Sequence, residues 1–173
     1  KEPIAQSHIT TEKMLEDNGL PCTFLRNNFY MDMYVVEVEI AIEAGVYRSP
    51  SGDAGVAFIS RADIARSAAA VLTSDGHEGK AYTMSGPTTV KPIDFAAVAA
   101  EISGKPVTVQ AISWDELAAD YRARGMSEEN IQLSIMLEQM VATNALAKTS
   151  NDVELLTGEP ATTFADYVKQ ALN

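Results

Sequence analysis

Pro21-Cys22-Thr23-Phe24-Leu25 is a short, nearly all-apolar run that stops abruptly at the polar triplet Arg26-Asn27-Asn28. Such a run suits a parallel strand covered on both faces. Upstream, residues 6–18 (QSHITTEKMLEDN) have helical composition, with Ile9, Met14 and Leu15 on an apolar stripe and Gly19 as the stop. Downstream, a second helix is expected from about Met31 to Ala44, closed by Gly45. Helix, strand and helix in succession predict a crossover connection, and hence a parallel sheet.

Further along, Val46-Tyr47-Arg48 reads as a strand leading into the turn Ser49-Pro50-Ser51-Gly52-Asp53, and Val56-Ala57-Phe58-Ile59 as another short strand. Ser60 is placed to cap a helix running through Asp63 to Leu72. Gly79 and Gly86 bound a further strand, and Pro92 opens a helix that ends at Gly104. Val107 to Ile112 alternates as a half-buried strand, and Ser113-Trp114-Asp115-Glu116 has the form of a capping box. Helices are then expected over 114–124, 127–147, 150–157 and 163–172. In the second of these, Ile131, Ile135, Met136, Met140 and Val141 form an apolar face that serves as core or as a pocket wall. Three or four strands are too few for a doubly wound sheet, so they read as one flank of a sheet whose other strands lie elsewhere.

Composition excludes several classes. With 173 residues, 46% of them hydrophobic, the chain is long enough for one compact domain or two small lobes, and too apolar for disorder. Thirteen basic against 24 acidic residues give a net charge of −11, which repels nucleic acid and anionic membrane surfaces. The single cysteine, Cys22, fits a reducing cytoplasm. No run approaches the roughly 18 apolar residues of a membrane span. The chain starts at Lys1 rather than methionine, which reads as a clipped or partial piece of a longer protein.

Chemistry is sparse in the motifs. A phosphate-cradling turn needs closely spaced glycines between strand and helix, and the ten glycines are scattered instead, with no G-x-G-x-x-G and no P-loop. Two distant histidines and one cysteine offer no metal set, and His77 reads as a solvated turn residue. There is no G-x-S-x-G elbow, and no tyrosine is followed four residues later by lysine. What remains is His8 with Glu12 one turn away, on a helix leading into the strand that ends at Arg26-Asn27-Asn28. Ligands of open α/β sheets bind beyond such carboxyl ends, where a histidine could orient a substrate or pass a proton. The alternative is an exposed i,i+4 pair contributing about 0.3 kcal/mol.

His8-x-x-x-Glu12, Gly19 to Tyr30, Ile59-Ser60-Arg61-Ala62-Asp63-Ile64-Ala65, Gly79-Lys80-Ala81-Tyr82 and Ser103-Gly104-Lys105-Pro106-Val107 together resemble the NmrA-like branch of the atypical short-chain dehydrogenases. Within it they are similar to NAD(P)H-dependent quinone oxidoreductases and triphenylmethane reductases. The resemblance implies the later strands of a Rossmann-type parallel sheet plus a small C-terminal α-rich substrate domain. Residues 1–90 would be what remains of the NAD(P)-binding part, with 31–58 contributing to the substrate lobe, and 91–173 the mainly helical substrate domain. It further implies that Asn27, Asn28, Phe29, Tyr30 and Asp32 run beside the nicotinamide of NADPH or NADH. His8 stands where many members carry lysine; the quinone and dye reductases are similar in having histidine there, and His8 is the candidate catalytic residue.

The protein supplies position and polarity to such a cofactor. Phe29, Tyr30, Met33 and Tyr34, with Met136 and Met140, could wall a flat slot for a quinone-like substrate. The expected activity of the full-length parent is reduction of quinone-like or other conjugated acceptors. The 173 residues alone are not expected to bind the cofactor well. A homodimer is compatible with this reading. The alternatives are an NAD(P)-sensing regulator that does not turn the cofactor over, or a separate helical interaction module.

Overall fold

The computed structural model describes residues 3–172, with side chains from residue 5; Lys1 and Glu2, on which the reading of the chain start rests, lie outside the described residues. The elements are α1 (Pro3–Asp17), β1 (Phe24–Asn27), a 3-10 turn (Met31–Tyr34), α2 (Val35–Ala44), β2 (Val46–Ser49), α3 (Arg61–Thr73), β3 (Ala81–Met84), α4 (Pro92–Ser103), β4 (Thr108–Ala111), α5 (Trp114–Ala123), α6 (Glu128–Ala142), α7 (Asp152–Thr157) and α8 (Phe164–Leu172).

The strands are parallel, as the alternation with helices predicts, but they do not form one flank. β1 pairs with β3 and β2 pairs with β4, giving two separate two-stranded sheets whose crossovers interleave. β1 also begins three residues later than the apolar run. Pro21 has no N–H to donate, while Cys22 O and Thr23 Oγ1 are tied to the turn before β3, accepting from Gly79 N at 2.8 Å and donating to His77 O at 2.7 Å.

Residues 56–59 are buried but are not a regular strand. Val56 exchanges both backbone bonds with Val90, Ala57 N donates to Leu146 O at 2.9 Å, and Ile59 bridges Tyr30. Three partners share the amides that a single neighbouring strand would have taken. Gly86 lies against this segment, and an added Cβ would collide with Phe58 O. Expected as half-buried, β4 instead exposes all four side chains, being an edge with one neighbour. α6 ends at Ala142 and not at 147. Asn144 turns the chain at φ 59°, and the carbonyls of Leu146 and Ala147 accept from Ala57 N, Asn28 Nδ2 and Thr89 Oγ1.

Three apolar clusters follow. Val38, Phe58, Phe95, Val98, Phe164 and Val168 centre the core between α2, α4 and α8. Ile59, Tyr82, Met84 and Val153 hold the β1–β3 sheet against α3 and α7. Leu117, Tyr121 and Ile131 give the α5–α6 hairpin a core of its own. Asp63, 2% exposed, ties α3 to the 157–162 segment: its carboxylate accepts from Arg66 Nε, Thr162 N and Thr162 Oγ1, while Arg66 donates onward to Thr157 Oγ1, Glu159 O and Pro160 O. The Ser60 cap and the Ser113–Glu116 capping box both form.

Candidate functional site

The loop after β1 is held from two sides. Asn28 N donates to Met84 O at 2.9 Å and its side chain donates to Leu146 O at 3.0 Å, while Met31 N and Phe29 O pair with Ile59. This fixes residues 27–34 at the carboxyl end of a parallel strand, the ligand-facing edge of an α/β sheet. Their side chains then divide between two depressions.

The first is an open groove of about 720 Å³ between α1 and β1, walled by His8, Glu12, Arg26, Asn27 and Tyr30. Glu12 does not serve His8. It takes a two-pronged bond from Arg26, with Nε at 2.9 Å and Nη2 at 2.6 Å, and that guanidinium holds the carboxyl below its ordinary range. The His8 side chain has no hydrogen-bond partner among the described residues. The expected proton-passing His8–Glu12 couple is therefore replaced by a Glu12–Arg26 pair, with His8 on the same wall. Above the groove Arg61 lies 4.2 Å over the Tyr30 ring and grips Asp32 through Nε at 3.1 Å to each oxygen. Ile9, 47% exposed, lies uncovered in this groove, and Met14, also on α1, is exposed outside it.

The second is a cleft of about 360 Å³ between the Met31–Ala44 segment and the α5–α6 hairpin, walled by Met33, Tyr34, Val36, Tyr121, Met126 and Leu137. Of the expected slot residues, Met33 and Tyr34 are here. Phe29 packs on the central core, Met140 is buried, and Tyr30 faces the groove. Asn28 spends its side chain on the backbone.

Polar pairs join the hairpin to the body: Arg124 to Glu37 at 2.9 Å, Arg48 to Asp120 at 2.7 Å, and the Tyr34 hydroxyl donating to Glu138 Oε1 at 2.9 Å. Burial raises the Glu138 carboxyl to about 7, with the Tyr34 bond opposing and Glu37 adding to the rise. Burial likewise pushes the Tyr34, Tyr47 and Tyr121 hydroxyls up. Glu138 had escaped the sequence reading, although it sits three residues past Ile135 and seven past Ile131, on the apolar face of α6.

His77 is also more than a solvated turn: its ring bonds Tyr82 OH at 2.8 Å and Ser74 Oγ at 2.9 Å. Among the described residues no cluster of metal-binding side chains occurs, and no helix is long and apolar enough to cross a membrane.

No protein-family model matches the chain. Curated and solved proteins do. The chain is 35% identical to quinone oxidoreductase 2 of Escherichia coli over 98% of its own length and 59% of the relative's. The crystal structure of the E. coli NADPH-dependent quinone oxidoreductase complexed with NADPH superposes with a TM-score of 0.89, covering 99% of this chain and 60% of that one. Triphenylmethane reductase of Citrobacter sp., complexed with NADP(H), gives a TM-score of 0.90 at 31% identity, covering 98% and 59%. An NmrA-like family domain-containing oxidoreductase of Aspergillus flavus is 26% identical over 65% of this chain and 36% of its own. The chain thus spans about three-fifths of the length of the quinone and dye reductases it matches. By sequence and by fold it is similar to these quinone and dye reductases.

Proposed function

We propose that the intact protein carrying this chain is an NAD(P)H-dependent oxidoreductase that reduces quinone-like or other conjugated acceptors. The observation that carries this is the division of the 27–34 loop between two depressions: Asn27 and Tyr30 face the groove, beside His8 of α1, while Met33 and Tyr34 face the cleft. Similarity to reductases described with NADPH and NADP(H) supports the choice of cofactor.

The residues present suit one end of a dinucleotide only. The groove offers a histidine, an asparagine amide and a tyrosine ring at the carboxyl end of a parallel strand, which match a nicotinamide ribose and ring. The sequence has no glycine turn for the pyrophosphate. His8, Asn27 and Tyr30 would hold the nicotinamide side, with Asn28, Phe29 and Asp32 fixing the loop behind them. When bound, a reduced nicotinamide supplies a hydride. The chain's own part is to orient the acceptor and exclude water.

In domain terms, residues 1–90 are the remaining part of the cofactor-binding domain, with 31–58 serving the substrate lobe, and 91–173 that lobe's helical part. α7 crosses back to pack on α3 and β3.

NADPH oxidation by the intact protein, followed at 340 nm with a panel of quinones, is the test. Consumption of NADPH is expected, with His8→Ala lowering it. A protein that binds NADPH and consumes none with any acceptor would be an NAD(P)-sensing regulator instead.

A further inference from the structure

The geometry points to the cleft between the Met31–Ala44 segment and the α5–α6 hairpin as a binding site for a flat, uncharged carbonyl compound, whose oxygen accepts a hydrogen bond from the Glu138 carboxyl. The inference deepens the reductase reading by giving the acceptor its place and the residue that meets it.

Three features support it. First, the walls are apolar and pliable. Met33 and Met126 are unbranched thioethers that adapt to a planar ring, and buried Tyr34 and Tyr121 close the wall behind them. Second, Glu138 is a polar group on that wall with spare capacity, set deepest among the tyrosines. One carboxyl oxygen accepts from Tyr34, and the other has no partner among the described residues. Arg124, the cation of the cleft, is already committed to Glu37 and to the Tyr121 ring, so nothing free awaits an anion. Third, Glu138 also borders a narrow crevice of about 20 Å³, into whose lining Ser51 contributes a buried hydroxyl with no partner. That volume suits one water molecule. A water there would give the Ser51 hydroxyl the partner it lacks, beside Glu138.

A protonated carboxylic acid kept neutral by an apolar site is a strong donor to a carbonyl oxygen; an ionised one offers only acceptors. The groups facing Glu138 are Tyr34 from the 3-10 turn, Glu37 from α2, Tyr47 from β2, Tyr121 from α5 and Arg124 just past its end. Glu37 favours the protonated form, and burial favours it more.

The test is equilibrium dialysis of the intact protein against 2,3-dimethyl-1,4-naphthoquinone, whose fully substituted quinone ring does not alkylate thiols, between pH 5.5 and 8.5. The expected result is a Kd that rises about tenfold from pH 6 to pH 8, as a group titrating near 7 loses its proton. Glu138→Gln keeps a donor without a titration, so its Kd should be flat with pH. Glu138→Leu should bind about tenfold more weakly at pH 6. A pH-independent Kd in the unmodified protein overturns the inference without any variant, as does a Glu138→Leu protein that melts normally and binds as tightly. Turnover with quinones while affinity ignores Glu138 and pH would sink this site and leave the reductase reading standing. The expected binding pattern without NADPH consumption would do the reverse.

Discussion

The groove beside α1 and the cleft under the α5–α6 hairpin share one loop and little else. In the groove, Ile9 of α1 stands uncovered, and the polar order amounts to one exposed ion pair, Glu12 with Arg26. In the cleft, polar pairs and a partly buried acid are set among packed tyrosines. Under the proposed function the difference separates an apolar cleft with a partly buried acid, suited to the acceptor, from an open groove that meets the cofactor at one end, this sequence carrying no glycine turn for a pyrophosphate.

The contrast depends on a common frame, and breaking that frame should have the largest effect. Asp63→Ala leaves Arg66 without its buried partner and frees the 157–162 segment, for an expected cost of about 3–5 kcal/mol in urea unfolding. Loss of less than about 1 kcal/mol would mean that the 157–162 segment is held by other contacts.

The two regions should respond to pH with opposite sign. Glu138 has a native pKa raised from 4.5 to about 7, so the native state binds the extra proton between these values. Its contribution to stability is fully present below about pH 4.5 and is lost as pH rises through 7, by at most about 3 kcal/mol. Glu12, held below its ordinary range by Arg26, contributes above that range, and its contribution is lost as pH falls. Unfolding free energies of Glu138→Gln and the unmodified chain should converge toward pH 5 and separate toward pH 8. Parallel curves would contradict the raised pKa.

Gly86→Ala tests the loop itself. Its Cβ would press on Phe58 O, and a shift of the 57–59 segment should cost about 2 kcal/mol and move residues 29–31 through their pairing with Ile59. The smallest effect is expected at the exposed Glu12–Arg26 pair, where Glu12→Gln should cost about 0.5 kcal/mol and less in high salt.

Much of this was legible from local chemistry. Gly45, Gly104, Ser60 and the Ser113–Glu116 box place helix ends through single-residue requirements, and the structure has them where they were expected. The strands were harder, because pairing is set by distant partners. The apolar run at 56–59 has strand character but spends its amides on Tyr30, Val90 and Leu146, and the end of α6 is given up so that the 146–147 carbonyls can receive donors. The groove's histidine and loop residues could be named from spacing and resemblance. Glu138 could have been found as the one charge among Ile131, Ile135 and Val141, an interruption that apolar counting passes over. The Arg26 claim on Glu12 could not, since it joins residues 14 apart across a turn whose path only the fold sets.

The most direct measurement of the division uses methyl groups on its two sides. With methionine and isoleucine methyls labelled with carbon-13 in the intact protein, 2,3-dimethyl-1,4-naphthoquinone should shift Met33 and Met126, which wall the cleft, and leave Ile9 in the groove and Met84 in the β1–β3 core unmoved. Shifts at Ile9 with Met33 and Met126 unchanged would place the acceptor in the groove and contradict the division between the two regions.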